Sequence, residues 1–544
     1  MTRNAFSNFF DNFLKKWDSL RMKRFVYFLL LFISSLASAS ESVPGVFLRG
    51  PAPQALYVIE RDKLSNADWH LAVIIQGMVN REQPRIYIVD RGSETRGDEV
   101  LLSYYSKEYN IKNLGEIPLQ QALEKYAGLF KGYALFAFDE PWTVNVTDVY
   151  CSIYDCLPVT AEQEALARKV GLEKVEDFRG RWKQAQDAIK WTRRELFPRC
   201  SPKIIASLQP QINSCRDYLF AHKIFTFYLQ ASGEEYPGLR KLLKGLPSNI
   251  PVMGYIARNG FEEWIVEYTL AETGKFMVAT DSVPNLTVHS GIPVKPLPEL
   301  KQWSKPPDLR GKLGVVFALT DGDNLVIQSE SYLRPDFWLY PGRGKIKVAW
   351  SVAPELYELA PGIMRYYYDT RTPNDFFVAL SGAGYTFSSA LADKAYFGKI
   401  STDYMKLTGL DVLWALDPLL YFAANKKVVS QVFNPLGNDG FTRGILAGYA
   451  PSLNLRNWQK VEGYPPIMYC KSNYFITPNK ILLASIKADA AYIPKRGKLA
   501  FYGVNGWKVR YQDLLGITRD LSRRKDIIFL SPQEAFAILE KWDK

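Results

Sequence analysis

From residue 313 onward the sequence repeats one pattern: a short run apolar on both faces, a polar or glycine-containing loop, then a helical spacing. The runs are Leu313 to Leu319, Lys345 to Trp350, Phe376 to Leu380, Val412 to Ala415, Val429 to Phe433, Gly444 to Ala447, Ile467 to Tyr469, Lys498 to Tyr502 and Asp526 to Leu530. A strand without a polar face has no side to give to water, so these runs read as parallel strands covered by helices on both sides. The predicted fold class is α/β, and the number of runs suits a TIM-like (β/α) barrel over 308–544 that could be seven-stranded. In such a barrel the chemistry sits on loops at the strand C-termini, so the residues just after each run are the candidates for a site.

Upstream, the chain reads as smaller units, and 544 residues leave room for several. Two β-rich runs near 54–60 and 85–90 flank a helical pattern from Asp68 to Val79, which predicts a βαβ unit. Tyr133 to Phe138 opens a second block that continues into a charged helical stretch from Ala161 to Leu196. Pro251 to Ile256 and Phe276 to Thr280, again separated by a helical pattern, form a third. The expected N-terminal α/β domains are 41–128, 129–235 and 236–295. Prolines 293, 296, 298, 306 and 307 mark a linker ahead of the barrel.

The first residues read as an export signal. Arg21, Lys23 and Arg24 precede the apolar run Phe25 to Leu36, and Ala37-Ser38-Ala39 is a small-x-small cleavage pattern, with Met22 as a second candidate start. The expected location is periplasmic or extracellular, with no transmembrane segment after signal cleavage, because no later stretch supplies the ~20 apolar residues a spanning helix needs. Removing residues 1–39 takes away six basic and two acidic side chains, so the net charge falls from +12 to +8. No block of five like charges occurs, so the excess reads as scattered and solubilising, and nucleic acid is not an expected partner. Oligomeric state is left open.

Histidine scarcity directs the chemistry. His70, His222 and His289 are the three histidines, far apart and without H-x-x-x-H or C-x-x-C beside them, so an imidazole-based zinc site has little material. No metal and no cofactor are expected, and hydrolysis would fall to carboxylates. The five cysteines permit disulfides in an exported chain, with Cys151/Cys156 and Cys200/Cys215 the nearest pairs, but equally fit buried thiols.

Several loops then carry polar groups. Thr320-Asp321-Gly322-Asp323-Asn324 places two carboxylates within three residues, where they either repel and raise one pKa or share a cation. Leu325 stands where a calcium loop would need an oxygen ligand, so that reading fails. Glu355, behind the run ending at Trp350, occupies a general-acid position, although Pro354-Glu355 also fits a helix start. Ser381-Gly382-Ala383-Gly384-Tyr385-Thr386-Phe387 lets backbone pass close to a ligand and offers the Tyr385 ring. A dinucleotide fingerprint fails there, because its third glycine would fall at Phe387. Asp417 sits where a second catalytic carboxylate would be wanted, or caps a turn before Pro418. The catalytic candidates are thus Asp321, Asp323, Glu355 and Asp417. Asn324, Gly382, Gly384, Tyr385, Asn434, Trp350 and Trp507 are candidates for substrate binding, with Trp338 a further aromatic platform.

At these residues the chain resembles the bacterial glycoside hydrolase family named for a Gly-x-Gly-Tyr-x-Tyr-Pro signature. The resemblance rests on 71–87, 250–256, Asn285 to Ser290, Asp321 to Asn324 and Gly382 to Phe387; the signature departs at Phe387 (for Tyr) and Ser388 (for Pro). It implies small N-terminal domains, a barrel-like C-terminal domain and a carbohydrate or glycan substrate. The leading expectation is an exported glycoside hydrolase, with Glu355 as acid and Asp323 as base or nucleophile. The alternatives are a metal-dependent carbohydrate esterase or deacetylase with Asp321 and Asp323 as ligands, and a non-catalytic glycan-binding envelope protein.

Overall fold

Four sheets organise the described residues. The computed structural model describes residues 43–257, 260–320, 322–422, 425–433, 440–448, 457–471, 479–506 and 508–542. The proposed export signal, Asp321, Asn434 and Trp507 lie outside these residues. Among the described residues, no helix is long and apolar enough to cross a membrane.

The first sheet has the order β2-β1-β3 and is parallel, from β1 (Ala55–Glu60), β2 (Ile86–Val89) and β3 (Lys112–Glu116). Helix α1 (Asn66–Asn80) joins β1 to β2, which gives the βαβ unit read from the sequence. The second sheet, β5-β4-β6, consists of β4 (Tyr133–Leu135), β5 (Leu157–Val159) and β6 (Lys174–Asp177). Strand β6 corrects the expectation of one long helix over 161–196. Two helices, Glu164–Lys169 and Ala185–Glu195, flank this edge strand, whose exposed residues carry the charge that resembled a helix surface.

The third sheet, β10-β9-β7-β8, is built from β7 (Ile205–Ser207), β8 (Phe225–Phe227), β9 (Ile250–Gly254) and β10 (Lys275–Ala279). It runs straight through the boundary expected at 235/236, because β7 pairs directly with β9. Its strands are short and wholly buried, and the helix α2 (Gly260–Glu272) crosses from β9 to β10.

The family-like segment Asn285 to Ser290 buckles this unit to the first one. Asn285, at φ +59°, accepts from Ile88 N at 2.6 Å and from Gln76 Nε2 at 2.7 Å, and donates to Ile88 O at 2.7 Å. Thr287 Oγ1 donates to Asp217 at 2.6 Å and accepts from Asn80 Nδ2 at 2.9 Å. His289 Nδ1 is 2.8 Å from the Tyr105 hydroxyl. These side chains are buried and hydrogen-bonded to one another, with only Gln76 Oε1 and Asp217 Oδ1 among their atoms left unpartnered.

The C-terminal region carries a curled parallel sheet. Its strands are β11 (Leu313–Thr320), β12 (Val348–Val352), β13 (Asp375–Leu380), β14 (Val412–Ala415), β15 (Gly444–Ala447), β16 (Trp458–Gln459), β17 (Ile467–Tyr469), β18 (Lys498–Asn505) and β19 (Ile527–Leu530). They lie in the order β16-β17-β15-β14-β13-β12-β11-β18, with β19 also on β11 and only β16 antiparallel. Among the described residues, the bridge from Cys470 to Phe501 brings the end of β17 against β18. All eight residues of β11 are buried. Fully burying a leucine or valine side chain stabilises by roughly 1.5–3 kcal/mol, so the central strands anchor the region.

One expected strand is a helix: Val429 to Phe433 closes the helix Lys426–Phe433. Its buried residues Val429, Val432 and Phe433 stand at i, i+3 and i+4, a helical period hidden inside a short apolar run. The proline-rich stretch is irregular, as expected, yet it is packed. Gln302 mimics a strand partner, accepting from Phe377 N at 2.5 Å and donating to Phe377 O at 3.4 Å. All five cysteines are thiols rather than disulfides, and Cys470 is buried with Sγ accepting from Gly503 N at 3.1 Å.

Candidate functional site

Strands β10, β11 and β13 bring the site together. After β13 the chain turns through Ser381 and Gly382, both at positive φ (+59° and +92°), which reverses it toward β10. There Tyr385 and Met277 exchange both backbone hydrogen bonds, at 2.7 and 2.9 Å. Gly384 permits the approach: a Cβ on it would stand 2.7 Å from Met277 O. The same strand β10 supports the turn after β11, where Asn324 to Val326 packs on it. That turn also reaches the signature tyrosine, since a Cβ on Gly322 would lie 3.4 Å from Tyr385 Cε1.

Helix α2 adds two carboxylates. The Tyr385 hydroxyl donates to Glu263 Oε1 at 2.6 Å, and Trp264 meets the Phe387 ring edge-on at 5.8 Å. Glu267 follows Glu263 by one turn, so both emerge on one face. Glu267 is fully buried with neither oxygen hydrogen-bonded. Burial raises its pKa well above the usual range, and the charges of Glu263 and Asp323 raise it further. Three carboxylates from two regions of the chain therefore share one field around Tyr385. Asn324, at φ +24°, is buried with both amide atoms unpartnered. An unmatched buried polar group costs about 1–3 kcal/mol, a penalty that a bound hydroxylated ligand would relieve.

The match to known families covers most of this framework. A model described as "GxGYxYP putative glycoside hydrolase C-terminal domain" matches 311–537, and models of the first, second and third GxGYxYP N-terminal domains match 55–127, 130–200 and 202–291. The chain belongs to the GxGYxYP family. A solved structure described as a putative hydrolase from Bacteroides thetaiotaomicron VPI-5482 has the same fold, with TM-score 0.75 and 19% identity over 92% of this chain and 98% of that one. A putative polysaccharide deacetylase from Mycobacterium smegmatis aligns with TM-score 0.29 and 12% identity over 45% of this chain and 96% of that one, too low to bear on the fold. No curated protein matches the chain.

Within the GxGYxYP framework the sequence-derived candidates separate. Asp323, Asn324, Gly382, Gly384 and Tyr385 converge. Tyr385 is fully buried, so its ring offers no open face, and its hydroxyl orients Glu263 instead. Asp417 accepts from Ser389 N at 2.7 Å, Ser389 Oγ at 2.9 Å and Leu419 N at 3.0 Å. Its carboxylate is thus occupied in fixing the turn that follows the signature, at the very place where Ser388 replaces the family proline. Glu355 is fully buried with both oxygens unpartnered, and burial pushes its pKa up to about 8. Its resolved electrostatic neighbour is Tyr404 rather than Asp323 or Glu267. Trp350 and Trp338 are core residues, a correction to their reading as sugar platforms. Trp350 stacks on Tyr511 at 6.0 Å and donates to Asp375 Oδ1 at 2.9 Å, and Trp338 packs against Trp350 at 5.1 Å.

Glu263 and Glu267 escape a loop-by-loop reading because they sit on a helix of another domain. Their one sequence signal is a pair of carboxylates at i, i+4 in a helix otherwise rich in apolar residues. Among the described residues, no group of three His, Cys, Asp or Glu side chains is arranged to hold a metal ion. His70 is instead paired with Asp148 at 3.0 Å, in a buried network with Arg216.

Proposed function

We propose that this chain is an exported glycoside hydrolase whose site lies between the signature loop and helix α2, with Asp323 as base or nucleophile and Glu267 as general acid. The carrying observation is the meeting of Asp323, Glu263 and Glu267 around Tyr385. Carboxyls whose surroundings push their pKa values apart divide into an acid and a base at one pH. Glu267, buried and facing two like charges, holds its proton. That proton passes to the glycosidic oxygen as the C–O bond breaks, while Asp323 either attacks the anomeric carbon or takes a proton from the attacking water. Glu263, fixed by Tyr385, stands one helical turn from Glu267 and adds to the upward push on its pKa. Asp321, adjacent in the same loop, is the reserve carboxylate.

Family membership supports a carbohydrate substrate, and the Phe25 to Leu36 run with its Ala-Ser-Ala site supports export. The curled sheet fits an open TIM-like barrel, with the strand exits of β11 and β13 facing the site. A second assignment gives the acid role to Glu355, favoured by its unpartnered oxygens and its pKa near 8.

Purified protein would be screened on a glycan panel for reducing-sugar release, followed by Asp323→Asn, Glu267→Gln and Glu355→Gln. Loss of a general acid or base costs roughly 10²–10⁴-fold in rate. Full activity in both Asp323→Asn and Glu267→Gln would sink the assignment. A large loss only in Glu355→Gln would transfer the acid role, and acetate release in place of sugar would give the esterase reading.

A further inference from the structure

A second feature lies far from this chemistry. At the end of the sheet where β18 enters, a cleft of about 630 Å³ is lined by Trp458, Lys460, Lys471, Tyr492, Arg496 and Trp542, among others. No carboxylate lines it among the described residues. Lys498 also lines it and is tied to Asp489 at 2.9 Å, so Lys471 and Arg496 chiefly set the sign of the cleft. Tyr492 is 77% exposed, far more than an aromatic ring of its size needs to be. Trp458 and Trp542 stand 6.2 Å apart at 44°, and Arg496 lies 5.1 Å over the Trp542 ring. Arg496 and Trp542 also line a neighbouring hollow of about 410 Å³ that contains Lys305, Arg310 and Lys541, where the carboxylate, Asp308, is already paired with Arg310. The two hollows together make an extended basic trough with aromatic walls.

We infer that this trough is a non-catalytic binding site for an anionic oligosaccharide, one carrying carboxylate or sulfate groups. Sugar rings present apolar C–H faces that stack on indole and phenol rings. Guanidinium and ammonium groups bind carboxylate and sulfate oxygens through charge-assisted hydrogen bonds. A neutral glycan would leave Lys471 and Arg496 without a use, and a small anion would leave the three aromatic rings without one. The trough is separate from the proposed active site. Lys498 pairs with Leu313 at the start of β11, whereas the active-site turn follows Thr320, seven residues further on and roughly 20 Å away along the strand. The choice of a sugar as the anionic ligand rests on the carbohydrate reading above; the position and sign of the trough do not.

The test is binding of the full chain, measured by calorimetry at low and high salt. The probes are oligogalacturonate, heparin-derived fragments and neutral glucan of matched length. The anionic fragments are expected to bind at least tenfold more tightly than the glucan and to weaken with salt. Arg496→Glu, alone and with Lys471→Gln, is expected to weaken them roughly tenfold. Tyr492→Ala, at an exposed site, tests the stacking contribution without endangering the fold. Oligogalacturonate and heparin fragments separate carboxylate from sulfate recognition. Equal affinity for the neutral glucan, or unchanged affinity in both Arg496 variants, would overturn the inference. So would tighter binding of a single-stranded oligonucleotide or an anionic vesicle to the same residues. Turnover is read separately: a chain with no hydrolytic activity but with this binding would leave the trough intact and remove only the catalytic reading.

Discussion

Tyr385 donates its phenolic proton to Glu263 across 122 residues of sequence, and this bond ties the signature loop to a helix of the third N-terminal domain. Neither region alone contains the site. The loop supplies a ring and a backbone that docks on Met277, and the helix supplies the acid groups. The family signature therefore works as an inter-domain clasp.

Tyr385→Phe keeps the ring and loses the donor. Hydrogen bonds to charged groups contribute about 1.5–3 kcal/mol, so unfolding should occur at measurably lower denaturant. Glu263→Gln should show a smaller loss, since an amide oxygen still accepts from the hydroxyl. The double variant should cost less than the two single losses added, because both act on one bond. Additive losses in a double-mutant cycle would show that the bond contributes nothing to the fold.

Gly384→Ala places a methyl 2.7 Å from Met277 O and 2.7 Å from the Phe276 ring. The expected destabilisation is about 1–3 kcal/mol, as for other forced overpacking. Gly516→Ala is the control. It lies in the helix Tyr511–Leu521 with nothing within 4 Å of the added carbon, and should stabilise by roughly 0.5–1 kcal/mol through the unfolded chain. Thermal unfolding of both variants checks the signs.

Glu355 gives a pH signature. Its carboxyl titrates near 8 when folded and near the usual glutamate value when unfolded, so between those values the folded chain holds a proton that the unfolded chain has released. Stability must then fall as pH rises through that window, by about 1.4 kcal/mol per pH unit at most. Asp98, Asp217 and Asp281, raised to about 7, 6 and 6 by burial, act in the same direction. The informative quantity is therefore the difference between wild type and Glu355→Gln, in urea unfolding from pH 5 to pH 8. Wild type should lose stability faster, and parallel curves would mean that Glu355 ionises freely.

The sequence was most legible where one physical cause dominates. Strands β11, β13, β14, β15 and β18 were evident because burial on both faces leaves an uninterrupted apolar run. Val429 to Phe433 reads as a strand, although it is helical, because five residues are too few to separate a strand from one helical turn. The third sheet crosses the boundary expected at 235/236 because β7 and β8 are three residues each, and only their pairing with β9 and β7 reveals their sheet. Asp323, Asn324 and the signature glycines were visible as loop chemistry. Glu263 and Glu267 were not, because their significance arises from what lies opposite them, and no local pattern encodes a partner on another domain.

Asp417 distinguishes a catalytic carboxylate from a positioning one. It holds Ser389 through both backbone and side chain, Leu419 N and, at 3.4 Å, the Ser388 hydroxyl, so Asp417→Ala removes four acceptor contacts at once. Loss of a capping acceptor costs about 0.5–2 kcal/mol, and the turn carrying Ser388 and Ser389 should loosen by that amount. Asp417→Asn retains one acceptor oxygen and should recover part of the loss. A catalytic Asp417 would reverse this order: the asparagine variant would fold normally and lose roughly 10²-fold or more in rate. The expected result is the opposite, with Asp417→Asn keeping most of its activity and the pH profile of wild type. Stability and kcat measured on the same two variants decide between the roles.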